Sequence, residues 1–262
     1  MAAADAPARS KALQAQTVTE VAHYTDRLFR FRITRPQSFR FRSGEFVMIG
    51  LDGTPLRAYS VASPSWDDTL EFFSIKVPGG PLTERLSKIG VDDTVLMAKK
   101  PTGTLVLDAL TPGRRLFLFS TGTGFAPFAS IIRDPETFEK FDEVIVTQTC
   151  REAAELRYAQ ETVAATFNDP LVGEMVAGRL TLFTSTTREE TAHMGRITTL
   201  IENGNLFATL GISAIDPLED RAMICGSMAM LKDTQAILEA RGFEEGANNK
   251  PASYVVERAF VG

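Results

Sequence analysis

The chain changes its folding pattern once, at Thr111-Pro112-Gly113, and that change limits the architectures open to it. Before it, "QTVTEVAHY", "RLFRFRITRP", "EFVMIGL", "LRAYSVAS", "LEFFSIKV" and "DTVLMAK" are short runs rich in Val, Ile, Phe and Tyr. Gly, Pro, Asp and Ser clusters separate them at spacings of roughly ten residues, the pattern of an antiparallel barrel or sandwich. One helix is expected to interrupt the strands, "PLTERLSKI" at 81–89, with Pro81 at its first position behind Gly79-Gly80. After the join, "RLFLFS" is a continuous apolar run, as in a strand buried on both faces. "TGTGFAPFASIIR", "EVIVTQTC", "AAELRYAQETVAATF", "RLTLFTS", "RAMICGS" and "MAMLKDTQAILEARG" then alternate helix and strand patterns. This βαβ order predicts a parallel sheet with helices on both faces. The expected organisation is two-domain: a flexible N-terminus over 1–15, an antiparallel β-barrel over 16–111, and an α/β parallel-sheet nucleotide-binding domain over 112–262.

Charge and cysteine usage remove several function classes. The net charge of -5 excludes a general nucleic-acid binder. The balance is uneven, with nine basic and five acidic residues from Met1 to Arg57. That excess suggests a basic docking face, with Arg27, Arg30, Arg40 and Arg42 turned to an acidic partner. The two cysteines, Cys150 and Cys225, are far apart and in no CxxC, and the two histidines, His23 and His193, stand alone. No protein-ligated metal or disulfide scaffold is therefore expected. No apolar run approaches the roughly 18 residues of a membrane span, and the first fifteen residues lack the apolar centre of a signal peptide. The expectation is a reduced, cytoplasmic protein.

Three stretches carry chemistry. "STGTGFAP", 120–127, follows a strand and opens a helix, so Gly122 and Gly124 suit a tight turn that lets backbone approach a pyrophosphate. Pro127 replaces the third glycine of the dinucleotide fingerprint, and no Gly-Lys-Ser/Thr ending is present, which argues against a nucleoside triphosphatase. The next strand ends in Arg151, where an NAD-binding fold commonly carries an acid. Together with Arg188 and Arg196 it suits a 2′-phosphate, although any one loop arginine is often merely solvated. In "RAYS", Arg57 and Tyr59 share one side of an extended strand and Ser60 follows, a set that suits a phosphate, a planar ring and a polar edge. The turn Gly79-Gly80-Pro81-Leu82-Thr83 offers a second phosphate cradle. Two cofactor sites on two domains imply electron or hydride traffic between them.

"RAYSVAS", "KVPGGPLTERL", "STGTGFAPFASI", "MICGS" and "VVERAFVG" resemble, in order, the blocks of the ferredoxin–NADP reductase superfamily, over essentially the whole chain after residue 15. Arg188 in "TTRE" and Arg196 in "GRI" look like its bacterial ferredoxin/flavodoxin–NADP reductase branch. The resemblance implies FAD as cofactor and NADP(H) as co-substrate. It implies that Arg57 binds the flavin pyrophosphate, with Ala58 in the same stretch, that Tyr59 packs on the isoalloxazine and that Ser60 hydrogen-bonds its reactive edge. Ile75, Lys76 and Val77 would supply backbone contacts, and Gly80, Pro81, Leu82 and Thr83 would close on the phosphates. Thr121, Gly122, Thr123 and Gly124 would take the NADP pyrophosphate, and Arg151, Arg188 and Arg196 its 2′-phosphate. Cys225, beside Gly226, lies where the family brings the nicotinamide. Ala259 and Phe260 would cover the other flavin face, and Glu257 stands where the family has an acid near the active site.

The chain departs from the plant-type pattern, which ends in an aromatic residue stacked on the flavin; here Ala259 stands at that position and the chain runs on to Gly262. The implied activity is hydride exchange with NADP(H) and single-electron exchange with ferredoxin, flavodoxin or both, by a monomer. No CxxxxCxxC is present, so the electron carrier is expected to be a separate protein. Two rivals stand beside this reading: an NAD(P)H-dependent flavin or quinone reductase with a small-molecule acceptor, and a non-enzymatic flavin-binding sensor. The basic N-terminal third favours a protein carrier, and a sensor has no need of three arginines and a nicotinamide pocket.

Overall fold

The computed structural model describes residues 12–257. Its first half is a six-stranded antiparallel sheet of β1 (Leu13–His23), β2 (Leu28–Thr34), β3 (Phe46–Gly50), β4 (Arg57–Ser60), β5 (Thr69–Ile75) and β6 (Thr94–Ala98), in the order β4-β3-β6-β1-β2-β5. Strand β2 shows why the segment folds this way. Phe29, Phe31 and Ile33 are buried while Arg30 and Arg32 alternate with them on the other face. The edge strands β4 and β5 are drawn together: Ala62 N–H donates to Glu71 C=O at 2.8 Å, and Tyr59 Oη lies 3.2 Å from Ser74 Oγ. The sheet thus nearly closes into a barrel around Phe31, Val47, Tyr59, Phe72 and Met97.

The second half is a five-stranded parallel sheet, ordered β11-β10-β7-β8-β9. Its strands are β7 (Arg115–Thr121), β8 (Glu143–Cys150), β9 (Leu180–Thr186), β10 (Asp220–Cys225) and β11 (Tyr254–Val256). Strand β10 is buried at every position and β7 at all but its last, as the continuous apolar runs predict. Helices α2 (Phe125–Ile131), α3 (Pro135–Lys140), α4 (Arg157–Thr166) and α5 (Gly173–Val176) lie in the β7–β8 and β8–β9 crossovers. The later crossovers carry α6 (Ile197–Glu202), α7 (Asn205–Leu210) and α8 (Met228–Ala240). The chain builds β7, β8 and β9 outward and then returns to place β10 on the other side of β7. The strand order therefore reverses between β7 and β10, and a parallel sheet opens a ligand crevice at such a point, outside the carboxyl ends of the strands.

Boundaries differ from expectation in three places. Leu13 to Ala15 pair with Ala98 to Leu96, so the segment 1–15 contributes the first residues of β1. The helix expected over 81–89 is a single turn, α1 (Thr83–Leu86), because Ser87 ends it and Gly90 follows closely. Leu105, Val106, Leu107, Ala109 and Leu110, ahead of the Thr111-Pro112-Gly113 join, pack in the second half's core, and Leu110 bridges to Ala252. The two halves share that core, since Leu28, Ala62 and Phe73 of the barrel lie in one buried cluster with Phe125, Phe128 and Tyr158. Among the described residues no helix is long and apolar enough to cross a membrane.

The expected basic docking face is not present as such. Arg30 pairs with Glu20 and Glu71, and Arg42 with Asp108 and Glu45. Arg40 donates to the Gln37 and Phe39 carbonyls and is in no ion pair among the described residues, and Arg27 lies at the cavity described next. A count along the chain cannot see that Glu71 and Asp108, remote in sequence, meet Arg30 and Arg42 in the fold.

Candidate functional site

A cavity of about 1070 Å³ lies between the barrel and the carboxyl ends of β7, β8 and β10. That exceeds the roughly 300–1000 Å³ of an ordinary single-ligand site. Its barrel wall is strand β4 and the end of β5. Arg57, Ala58, Tyr59 and Ser60 line it, followed by Ile75 and Val77 and by Gly80 to Thr83. Arg57 is exposed at the rim, with a guanidinium nitrogen 3.1 Å from the Leu56 carbonyl. Tyr59 is largely inside the barrel, edge-on to Phe31 and Phe72 at 6.2 and 6.3 Å, and burial raises its phenol pKa. Ser60 Oγ is buried and has no hydrogen-bond partner among the described residues. Because buried hydroxyls are normally paired, an orphan facing this cavity fits a ligand edge that supplies the missing partner. The Thr83 hydroxyl is bonded to the Val77 backbone at 3.3 Å and closes the Gly79-Gly80 turn.

The opposite wall is made of two turns that grip each other. Thr121, Gly122, Thr123 and Gly124 lie at the end of β7, and Cys225, Gly226 and Ser227 at the end of β10. A side chain at Gly124 would collide with the Cys225 carbonyl, and one at Gly226, whose φ is +157°, with the Thr121 hydroxyl. Ser227 N–H donates to Thr121 Oγ at 3.0 Å. The glycines thus serve the close approach of two strand ends as well as access for a ligand. Pro127 sits in the first turn of α2, where a missing N–H costs nothing. Burial pushes the Cys225 thiol far up and the Cys150 thiol up to about 12, so neither is a thiolate near neutral pH.

A smaller cavity of about 580 Å³ gathers the three expected arginines, Arg151, Arg188 and Arg196, with Thr187, Met194 and Gly195. Arg151 and Arg196 also border the large cavity, so the two are continuous. The loops are pinned through their backbones, with Arg188 N–H to the Arg151 carbonyl at 3.0 Å and Arg151 N–H to Glu155 at 2.8 Å. All three arginines are exposed and none is in an ion pair among the described residues. Three unneutralised guanidinium groups around one hollow suit a dianion.

Two expected residues lie elsewhere. Lys76 does not line the cavity; its backbone N–H donates to the Arg27 carbonyl at 2.7 Å. Glu257, which ends the described chain, is buried behind Cys225 and near Thr104 N–H at 3.4 Å, rather than on the cavity surface. Ala259 and Phe260 lie outside the described residues.

Gln148 and Ser74 were not singled out by the sequence. Gln148 is buried in β8, donates to the Gly122 carbonyl at 2.8 Å and accepts from Ser120 Oγ, so it holds the glycine turn from behind. Ser74 fixes the Tyr59 hydroxyl. Both are polar residues in apolar strands, which is the only signal available before their partners are known. Among the described residues there is no cluster of three or more His, Cys, Asp or Glu that could hold a metal.

No protein-family model matches the chain. Individual proteins do. The chain is 58% identical over 252 residues to the flavodoxin/ferredoxin–NADP reductase of Rhodobacter capsulatus, covering 95% of this chain and 93% of the relative. It is 46% identical over 253 residues to the ferredoxin–NADP reductase of Pseudomonas aeruginosa, covering 95% and 98%. Among solved structures, a ferredoxin NADP+ reductase from Neisseria gonorrhoeae with bound FAD and NADP superposes with a TM-score of 0.84 at 31% identity, over 95% of this chain and 99% of that one. With a barrel that faces the switch point of a parallel sheet, and with these identities sustained from end to end, the chain belongs to the ferredoxin–NADP reductase family.

Proposed function

We propose that this chain is an FAD-dependent oxidoreductase that exchanges a hydride with NADP(H) and single electrons with ferredoxin or flavodoxin. The observation that carries the reading is the one cavity walled on one side by "RAYS" and on the other by the glycine turn, with the orphan Ser60 hydroxyl inside it. When bound, FAD supplies the exchange between a two-electron hydride and single electrons. Arg57 and the Gly80–Thr83 turn hold its phosphates, Tyr59 flanks its ring, and Ser60 donates to its polar edge. Ile75 and Val77, which line the cavity, guide it by their backbone. Thr121 to Gly124 take the coenzyme pyrophosphate, Arg151, Arg188 and Arg196 its 2′-phosphate, and Cys225 with Gly226 bounds the nicotinamide. Cys225 acts there as a small neutral side chain, not as a nucleophile. Glu257 acts from behind Cys225, and Ala259 with Phe260 as a cover.

The carrier rests on the relatives. The basic-face argument fails with Arg30 and Arg42, whereas the Rhodobacter capsulatus relative is named for flavodoxin and ferredoxin both. The same reading takes the enzyme to be a cytoplasmic monomer, a size that gel filtration checks. Anaerobic NADPH is expected to bleach the yellow of the purified protein, and the reduced protein to pass electrons to ferredoxin and flavodoxin from the same cell. Protein that binds no FAD, or whose colour NADPH leaves unchanged, overturns the reading.

Gln148→Leu gives a finer check of the glycine turn. It removes one hydrogen bond to the Gly122 carbonyl, typically about 0.5–1.5 kcal/mol. The KM for NADPH and for NADH is expected to rise together by roughly two- to tenfold, because both coenzymes carry the pyrophosphate. Gln148→His, which can still donate, should recover part of the loss. An unchanged KM for both coenzymes in Gln148→Leu would remove the residue from turn positioning.

A further inference from the structure

Glu71 in β5 is a carboxylate 3% exposed at the seam between the two halves. Its two oxygens face opposite ways. Oε2 takes the barrel's own cations, Arg32 Nε at 2.8 Å and an Arg30 guanidinium nitrogen at 3.1 Å. Oε1 takes groups from the second half, the Tyr158 hydroxyl of α4 at 2.7 Å and an Arg133 guanidinium nitrogen at 3.5 Å. Burial raises the Glu71 pKa, but Arg133, Arg32, Tyr158 and Arg30 more than offset this and hold it below the usual carboxylate range. Burial, with Glu71 next, pushes the Tyr158 phenol well above its ordinary value, so it remains a donor. Arg133 also donates to the carbonyl of Ala62, just past "RAYS".

Both members lie a short step from the cavity walls. Ile75, on the barrel wall, follows Glu71 by four residues in the same strand. The Tyr158 ring stacks on Phe73 with centroids 4.1 Å apart and meets Phe125 edge-on at 5.8 Å. Phe125 directly follows Gly124 of the opposite wall. The buried packing around this cluster is apolar, from Leu28, Ala62, Phe73, Phe125 and Phe128, while Ser43 Oγ to Asp134 at 2.6 Å and Trp66 Nε1 to the Arg133 carbonyl at 3.1 Å are further directional links between the halves. Apolar contact is non-directional, so it joins two surfaces without fixing how they slide. A buried ion-pair network adds little net stability over well-packed apolar side chains, but it is directional and satisfied in one register only.

We propose that Glu71 and Tyr158 are a positioning pair that sets the register of the barrel wall against the glycine turn, and so the alignment of flavin and nicotinamide for hydride transfer. The inference rests on the functional reading above. Neither residue touches the cavity, so their effect is on alignment and not on affinity. A misplacement of about 1 Å by a change remote from the chemistry can slow a reaction by roughly a hundredfold.

The test uses FAD-loaded protein with Tyr158→Phe, which keeps the ring stack and removes one donor, and with Glu71→Gln, which keeps the shape and removes the charge. Two quantities are read beside the limiting rate of flavin reduction by NADPH: the dissociation constant of NADP+, and the long-wavelength band of a nicotinamide stacked on the flavin. Each variant is expected to lose about tenfold in limiting rate and much of the band at saturating NADP+, with the dissociation constant within about twofold of native. The double variant should be no slower than the slower single one, since both changes break one joint. Native rate and band in both variants, or a loss explained by weaker NADP+ binding, overturns the inference alone. Should one variant fail to fold, the other decides. Native protein that NADPH does not reduce overturns the functional reading and this inference with it.

Discussion

The Arg188→Ala variant is expected to lose about five- to thirtyfold in kcat/KM for NADPH while its kcat/KM for NADH stays at the native value. The reason lies in the smaller cavity, where Arg151, Arg188 and Arg196 converge and none is neutralised by an acid among the described residues. A 2′-phosphate is largely dianionic near pH 7, and guanidinium presents paired donors to its oxygens. Hydrogen bonds to charged groups contribute roughly 1.5–3 kcal/mol, and solvent screening of three exposed arginines reduces this to about 1–2 kcal/mol. The three effects should not add, because one phosphate serves all of them. NADH lacks that phosphate and has nothing to lose. Added salt should weaken NADPH more than NADH for the same reason. The measurement is the ratio of kcat/KM for the two coenzymes in the native protein and in each Arg→Ala variant. A native ratio near one, or a variant that slows NADH as much as NADPH, removes the 2′-phosphate assignment.

How much of this was legible depended on whether a feature is local. Strands β2, β7, β8 and β10 read directly from alternation or from continuous apolar runs, because burial of a strand is written within six to eight residues. The cavity residues Arg57 to Ser60 and Thr121 to Gly124 were legible as compact motifs. Short elements were not: α3, α6 and α7 have six residues each, too few for a helical period to declare itself. Arg30 shows the limit most plainly. In sequence it is one more cation in a basic run, and its partners Glu20 and Glu71 lie 10 and 41 residues away. Tyr158 and Glu71 are separated by 87 residues and belong to different halves, so nothing near either one announces the pair. The polar residues that position the site became visible only through their partners.

Asp220→Ala is expected to destabilise the protein by about 3–5 kcal/mol, the largest stability effect expected of a single substitution here. Asp220 is fully buried at the start of β10, and Arg115, directly opposite at the start of β7, is 2% exposed. The pair is bidentate, with Arg115 Nε to Oδ1 at 2.7 Å and a terminal nitrogen to Oδ2 at 2.6 Å. The remaining donors of Arg115 reach the Ser213 and Ala214 carbonyls at 3.2 Å, and Asp220 Oδ2 accepts from Asp216 N–H at 2.7 Å. The guanidinium also lies over the Phe117 ring at 5.2 Å. Removing the carboxylate leaves a cation in this enclosure that cannot shed its proton, so the full cost of an unpaired buried charge is incurred. For a protein of this size each kcal/mol shifts Tm by roughly 2–4 °C, which gives a fall of about 6–20 °C. Replacing both partners, Arg115→Met with Asp220→Leu, should recover much of that loss, since apolar packing substitutes for a buried pair at little cost. The pair sits at the amino ends of the strands, opposite the cavity, so the surviving folded Asp220→Ala protein should keep native KM values for NADPH. Thermal unfolding of the FAD-loaded single and double variants, with coenzyme kinetics at a temperature below both transitions, decides it. A single variant as stable as native, or a double variant worse than the single, would show that the pair is not an interdependent buried charge pair.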